Sequence, residues 1–331
     1  MSNLATIIII ILLALSFDFI NGFHDTANAI ATAVSTKALK LKYAIVLAAI
    51  FNFLGALTFT GVAKTIAKDI VDLGSIQNGA AVMMAAMVSA IIWNLLTWYF
   101  GIPSSSSHAL IGSLTGAAIA DAGTTAIKLG GFEKIVTSLI ASPLMALTVG
   151  FLMFNLIKFL FKKANLGKAN HGFRIFQIFT AALQAFSHGT NDAQKSMGII
   201  TMALVSCGYQ KDMTIQHWVQ IVCALAMAFG TSVGGWRIIK TVGTQIIKLK
   251  PVNAVAADLS SAMIIQLATK FDLPVSTTHV ISSSIMGVGA ASRLKAVKWS
   301  TAQKMVYAWF TTIPITIIIS AGVFAIFKLF L

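Results

Sequence analysis

Apolar segments long enough to enter a bilayer follow one another from end to end of this sequence. They run approximately over 4–20, 25–36, 43–63, 79–100, 105–120, 135–157, 173–187, 192–206, 218–235, 252–269, 275–290 and 305–327. A hydrocarbon core of roughly 30 Å takes about 20 apolar residues as helix, so the chain has material for about ten crossings. Of its 331 residues 57% are hydrophobic and only 10% charged, where soluble domains carry roughly 25%. A pair of soluble domains is excluded. Long Ala/Ile/Leu runs with few prolines favour helices over the alternating strands of an outer-membrane barrel. The expected fold is therefore an all-α polytopic membrane protein. Cys207 and Cys223 give neither a disulfide framework nor a paired metal motif. The first apolar stretch lacks a basic leader and a small-residue cleavage site, so it reads as a retained helix.

A net charge of +14 would suit nucleic acid in a soluble protein, but here the location of the charges matters more. One set of connections holds Lys37, Lys40 and Lys42; Lys158, Lys162, Lys163, Lys168 and Arg174; Arg237, Lys240, Lys248 and Lys250; and Arg293, Lys295, Lys298 and Lys304, with no acid among them. The other set mixes Lys64, Lys68, Lys128, Lys134, Lys211 and Lys270 with Asp69, Asp72, Asp121, Glu133, Asp212 and Asp272. The positive-inside rule makes the first set cytoplasmic. A nucleic-acid partner is not expected; the expected surroundings are the lipids of the cell membrane, with both chain termini external. For the charges to alternate sides, the first two stretches must form one interrupted crossing, and so must 173–206. The short stretches 105–120 and 275–290 then carry the chain back, as broken helices or re-entrant hairpins.

Two segments recur. Gly22–Asn28 (GFHDTAN) resembles Gly189–Lys195 (GTNDAQK), and Ile102–His108 (IPSSSSH) resembles Leu273–His279 (LPVSTTH), in the same order and at nearly the same offset. Equivalent loops carry opposite charge character. The sequence therefore predicts two inverted-topology repeats, residues 1–157 and 173–331, joined by a basic cytoplasmic connector at 158–172. Such repeats are typical of secondary transporters, which bind substrate near the midplane on the ends of interrupted helices.

Asp18, Asp25, Asp192 and Asp258 fall inside apolar stretches, where a carboxylate costs at least ~2.5–3.5 kcal/mol and marks a partner or a wet cavity. Asp25 and Asp192 are repeat equivalents, each beside an expected helix break that contains a glycine, Gly22 or Gly189. On a helix Asp25 shares a face with Asn28 and Thr32, and Asp192 with Lys195 and Ser196. With Asn191, such oxygens suit a hard cation such as sodium, or a proton. Asp258 is a further ion-coupling candidate; Asp18 is either a local relay or a snorkelling helix-end group. The hydroxyl clusters Ser105–Ser106–Ser107 and Ser276–Thr277–Thr278 each follow a proline, which disfavours helix before it, and Ser or Thr is a preferred N-cap. A helix start of this kind presents free N–H groups and partial positive charge to an anion, phosphate especially. His108 and His279 close the clusters, either as packing donors or as phosphate or proton contacts, and Lys195 is a further candidate for a proton or phosphate contact. Gly112 and Gly116, and Gly230 and Gly234, have the spacing of close helix packing. No Walker motif, zinc spacing or nucleophile triad emerges, so an enzyme is not expected.

At the duplicated aspartate and hydroxyl motifs the chain resembles the PiT inorganic phosphate transporter family over nearly its whole length. The run Trp98–His108 (WYFGIPSSSSH) is most similar to the bacterial low-affinity phosphate transporters. His24 and Lys195 stand where many members have Asn, Asn52 and Asp258 where animal relatives have Glu, and the long hydrophilic central insert of larger relatives is absent. The resemblance implies symport of phosphate, free or as a neutral complex with a divalent metal, coupled to protons or sodium. It implies no cofactor and leaves a homo-oligomer open. Rival readings of the paired aspartates are a cation/proton exchanger, which needs no hydroxyl clusters, and an ion channel, which could also use duplicated half-helices but would not accumulate phosphate against a gradient.

Overall fold

The structure, a computed structural model, describes residues 3–163 and 166–329. Its helices are α1 (Asn3–His24), α2 (Thr26–Ser35), α3 (Leu41–Ala56), α4 (Gly61–Asp69), α5 (Gly79–Phe100), α6 (Ser106–Ala122), α7 (Leu129–Leu160), α8 (Leu166–Asp192), α9 (Gln194–Ser206), α10 (His217–Val233), α11 (Trp236–Lys240), α12 (Pro251–Lys270), α13 (Thr277–Ser292) and α14 (Trp299–Lys328). A π-helical turn, Thr241–Gln245, continues α11. The architecture is all-helical, as the composition requires. Among the described residues five helices are long and apolar enough to cross a membrane, or up to seven if each of two bent pairs counts as one.

The remaining apolar stretches do not meet that length and composition on their own, and the reason is where they lie. Helices α6 and α13 are almost wholly buried in protein, and α2 and α9 are continuations of α1 and α8. An apolar run does not say whether lipid or protein surrounds it. Residues such as Leu12, Ile50, Leu144, Leu152 and Ile318 do face outward, as lipid-facing residues should. The interior, in contrast, holds Asp18, Asn21, Asp25, Asn28, Asp192 and Lys195, each at most 1% exposed.

The order of elements runs twice. A broken helix (α1–α2, then α8–α9) precedes a pair bent by 66° (α3–α4, then α10 with α11 and its π turn). Next comes a long helix (α5, α12), a buried return helix (α6, α13) and a long helix with an internal proline, Pro143 in α7 and Pro314 in α14. Packing is reciprocal: α1 lies on α10 as α8 lies on α3, and α7 lies on α13 as α14 lies on α6. The closest approaches repeat too. A Cβ on Gly230 would fall 1.9 Å from the Phe19 carbonyl oxygen, and one on Gly55 2.2 Å from that of Phe186. Only glycine lets these backbones meet. Gly112 and Gly116 do the same against Thr316 and Ile317. Gly234, however, ends α10 at φ +74°.

Connections of like charge character lie together. Residues around Asp72 meet those before α7 through the Val71–Ile127 bridge, and Asp121 Oδ2 accepts from the Gln77 and Asn78 N–H groups at 2.7 and 3.0 Å. Thr65 Oγ1 donates to the Asp272 carbonyl at 2.8 Å. Among the basic loops, the Lys298 N–H reaches the Ile246 carbonyl at 2.9 Å. The basic connector, residues 158–172, is described but for 164 and 165. It is mostly helical, because α7 continues to Leu160 and α8 starts at Leu166. No proline interrupts it, and a helix satisfies its own backbone wherever it meets the headgroups.

Candidate functional site

Proline and hydroxyl residues set up the two helix starts as their chemistry predicts. Gly101, at φ +65°, ends α5. After Pro103 the chain is extended, and Ser105 caps α6 by accepting from the His108 N–H at 3.1 Å. Ser276 caps α13 by accepting from the His279 N–H at 3.2 Å. The two breaks touch, for Ser107 Oγ donates to the Val275 carbonyl at 2.7 Å.

The aspartates sit at much smaller interruptions than expected. Asp25 alone separates α1 from α2, and Ala193 alone separates α8 from α9. The adjacent glycines do not unwind the chain. A Cβ on Gly22 would meet the Met227 carbonyl oxygen at 2.3 Å, and one on Gly189 that of Asn52 at 2.3 Å. Their role is to let helices approach and so bury the carboxylates beside them.

One polar cluster results, drawn from both halves of the chain. Ser106 Oγ donates to Asp25 Oδ2 at 2.5 Å, and Thr278 Oγ1 donates to Asp25 Oδ1 at 3.0 Å. His24 Nδ1 lies 2.6 Å from Asp25 Oδ1. Asn28 Nδ2 donates to Thr278 Oγ1 at 2.8 Å. Thr277 Oγ1 donates to Asp192 Oδ2 at 3.1 Å, and Asn21 Nδ2 to the same oxygen at 3.4 Å. Lys195 Nζ stands 2.9 Å from Asp192 Oδ1 and donates to Ser106 Oγ at 3.0 Å. His188 Nε2 is 3.3 Å from Asp192 Oδ2. Ligand atoms of Asp25, His188 and Asp192 all lie within 4.8 Å of one another, a spacing that would let one cation touch all three.

Several sequence candidates are elsewhere. Asn191 is spent on the second break: its Nδ2 donates to Thr269 Oγ1 at 3.0 Å and the Leu273 carbonyl at 3.2 Å, and its Oδ1 accepts from the Val275 N–H at 3.2 Å. Asp258 accepts from Thr32 at 2.8 Å and Thr180 at 2.9 Å, beyond the cluster along α2. Asp18 accepts from Ser196 at 2.7 Å, on the opposite side. His108 meets Ser105 Oγ at 2.8 Å, while His279 stacks on Trp309 at 4.1 Å. Both histidines line an apolar cavity of about 660 Å³ between α7 and α14. Asn21 escapes a reading by motif. Its register offered a signal, since it lies one residue before Gly22 as His188 lies one before Gly189.

Comparison with known proteins follows the same outline. The profile described as "Phosphate transporter family" matches residues 21–320. A protein of Bacillus subtilis (strain 168), named "Probable low-affinity inorganic phosphate transporter", is 60% identical over 95% of each chain. One of the same name from Rhizobium meliloti (strain 1021) is 44% identical, over 94% of this chain and 93% of its own. A solved structure titled "The sodium-dependent phosphate transporter" superposes with a TM-score of 0.90 at 25% identity, covering 99% of this chain and 100% of its own.

Proposed function

This chain belongs to the phosphate transporter family, and we propose that it is a cell-membrane symporter that imports inorganic phosphate with a proton or a sodium ion. The observation that carries this reading is the meeting of both hydroxyl-capped helix starts with both aspartates in one buried cluster. Phosphate is held by the N–H groups and hydroxyls at the starts of α6 and α13, through Ser105, Ser106, Ser107, Ser276, Thr277 and Thr278. Hydroxyl donors bind it without adding fixed charge, so it can leave again.

Charge makes the coupling. Two carboxylates and one ammonium leave the cluster negative before a phosphate dianion arrives. At an effective dielectric of 20, unit charges ~5 Å apart interact by roughly 3 kcal/mol. A carboxylate and a dianion therefore repel by about twice that. A proton or cation at Asp25, or a divalent metal travelling with the phosphate, removes the penalty. Phosphate and cation accordingly bind cooperatively. Residues 1–157 and 173–331 act as oppositely oriented repeats that rock about the cluster, with residues 158–172 on the cytoplasmic side and both termini external.

Uptake of labelled phosphate into proteoliposomes, with the pH and sodium gradients imposed separately, tests the reading. Saturable accumulation driven by one gradient is expected. Leak down the phosphate gradient alone, insensitive to both, would refute symport.

A further inference from the structure

The two halves of the cluster differ at one equivalent position. Three residues after Asp25 stands Asn28; three residues after Asp192 stands Lys195. Spacing of three on a helix puts each on the face of its aspartate. Lys195 is 1% exposed and among the largest fully buried side chains. Its ammonium is 2.9 Å from Asp192 Oδ1 and 3.0 Å from Ser106 Oγ. Asp25, by contrast, has donors from Ser106 and Thr278 and a contact with His24, and among the described residues no lysine or arginine pairs with it. In the Asp25 half, the buried Asn28 Oδ1 has no hydrogen-bond partner, leaving a neutral oxygen three residues from the Asp25 carboxylate on the same helix face; Asn21 Oδ1 is also without a partner, but its amide serves Asp192.

We propose that the Lys195 ammonium is a tethered replacement for a monovalent cation in the Asp192 half of the site, leaving only the Asp25 half to take an exchangeable one. The inference rests on the symport reading and deepens it. A lysine side chain cannot be released with the substrate, so it neutralises Asp192 in every state of the cycle and carries nothing across. Ser106 joins the halves, donating to Asp25 and accepting from Lys195, so its oxygen faces a cation on one side and a carboxylate on the other. Exchanging Lys195 for the residue at the equivalent position of the other half, asparagine, should open a second cation site made of Asp192, Ser106 and the new amide oxygen.

The test compares the wild type, Lys195→Asn and Lys195→Arg, each purified in detergent without phosphate. Thermal unfolding is followed in choline chloride and with sodium, lithium or potassium chloride added. Lys195→Asn should gain a saturable stabilisation by one of these cations that neither wild type nor Lys195→Arg displays, as ligand linkage requires. In proteoliposomes its phosphate uptake should fall at least tenfold in choline and recover with that cation. Equal cation dependence of all three melting temperatures, or full uptake by Lys195→Asn in choline, would overturn the proposal. Lys195→Gln, nearer in length, carries the same test if the asparagine variant does not fold. Failure of both to fold in every salt would also overturn it, because a bound cation should rescue them. The melting measurement does not depend on transport. A wild type that accumulates no phosphate therefore refutes the symport reading while the role of Lys195 is still decided by the melting temperatures.

Discussion

Ser106→Ala removes one oxygen that makes two contacts with charged groups, to Asp25 at 2.5 Å and from Lys195 at 3.0 Å. Hydrogen bonds to charged groups are worth about 1.5–3 kcal/mol each. Asp25 keeps Thr278, and Lys195 keeps Asp192, so the two losses do not sum. What weakens phosphate binding is the loss of one bond of this class from the Ser106 hydroxyl to the bound anion, and at 1.4 kcal/mol per tenfold the apparent phosphate constant should rise about ten- to a hundredfold. Ser107→Ala is the comparison within the site: its hydroxyl already serves the Val275 carbonyl, so it meets the anion through its N–H, and its loss should lower stability with a smaller change in the phosphate constant. Initial uptake rates in proteoliposomes against phosphate at fixed driving ion, and against ion at fixed phosphate, separate the two roles. If Ser106→Ala and Thr277→Ala, alone and combined, leave the phosphate constant at its wild-type value, the helix starts do not bind the anion.

Asp25→Asn should abolish gradient-driven uptake while the protein remains monodisperse in size-exclusion chromatography; wild-type transport would remove Asp25 from coupling. Asp192→Asn should also stop transport, but it strips Lys195 of its counter-ion and, as for other broken buried pairs, should cost about 3–5 kcal/mol of stability, read as a lower melting temperature. Gly230→Ala should destabilise by about 1–3 kcal/mol through overpacking against Phe19. Gly130→Ala meets nothing within 4 Å, and equal melting points for these two variants would refute the close-approach argument. A single cysteine at Lys163, an exposed position after α7, should resist a membrane-impermeant reagent applied to intact cells. Labelling there would overturn the assigned orientation.

Features carried by local chemistry were legible in the sequence. Proline followed by hydroxyls located both helix starts and their caps, because capping involves only residues three apart. Equivalence of Asp25 and Asp192 came from register alone. Features that depend on the partner helix were not legible. Asn191 resembles a ligand in its motif, yet what it binds is decided by Thr269 and Val275, which lie 78 and 84 residues away. Gly22 and Gly189 suggested breaks because glycine weakens a helix; only the passing backbones of α10 and α3 reveal that they serve close approach.

Bonds of the cluster cross between the halves as well as running within them, and this bears on how binding and motion are linked under the symport reading. Ser106 receives Lys195, Asp25 receives Thr278, and Asp192 receives Asn21. Any rocking of one half against the other must stretch these contacts first. Phosphate competes for the same Ser106, Thr277 and Thr278 hydroxyls, since a hydroxyl has a single proton to donate. Its arrival would take donors from Asp25 and Asp192, and a bare carboxylate in that interior is costly. A cation or proton at Asp25 meets that cost. Phosphate alone would thus weaken the contacts between the halves yet leave an unpaired charge, whereas phosphate with its cation weakens them and closes the charge balance. A ligand shifts a conformational equilibrium only by its differential affinity for the two states. In this arrangement that difference belongs to the pair of ligands together, which is what a symporter requires.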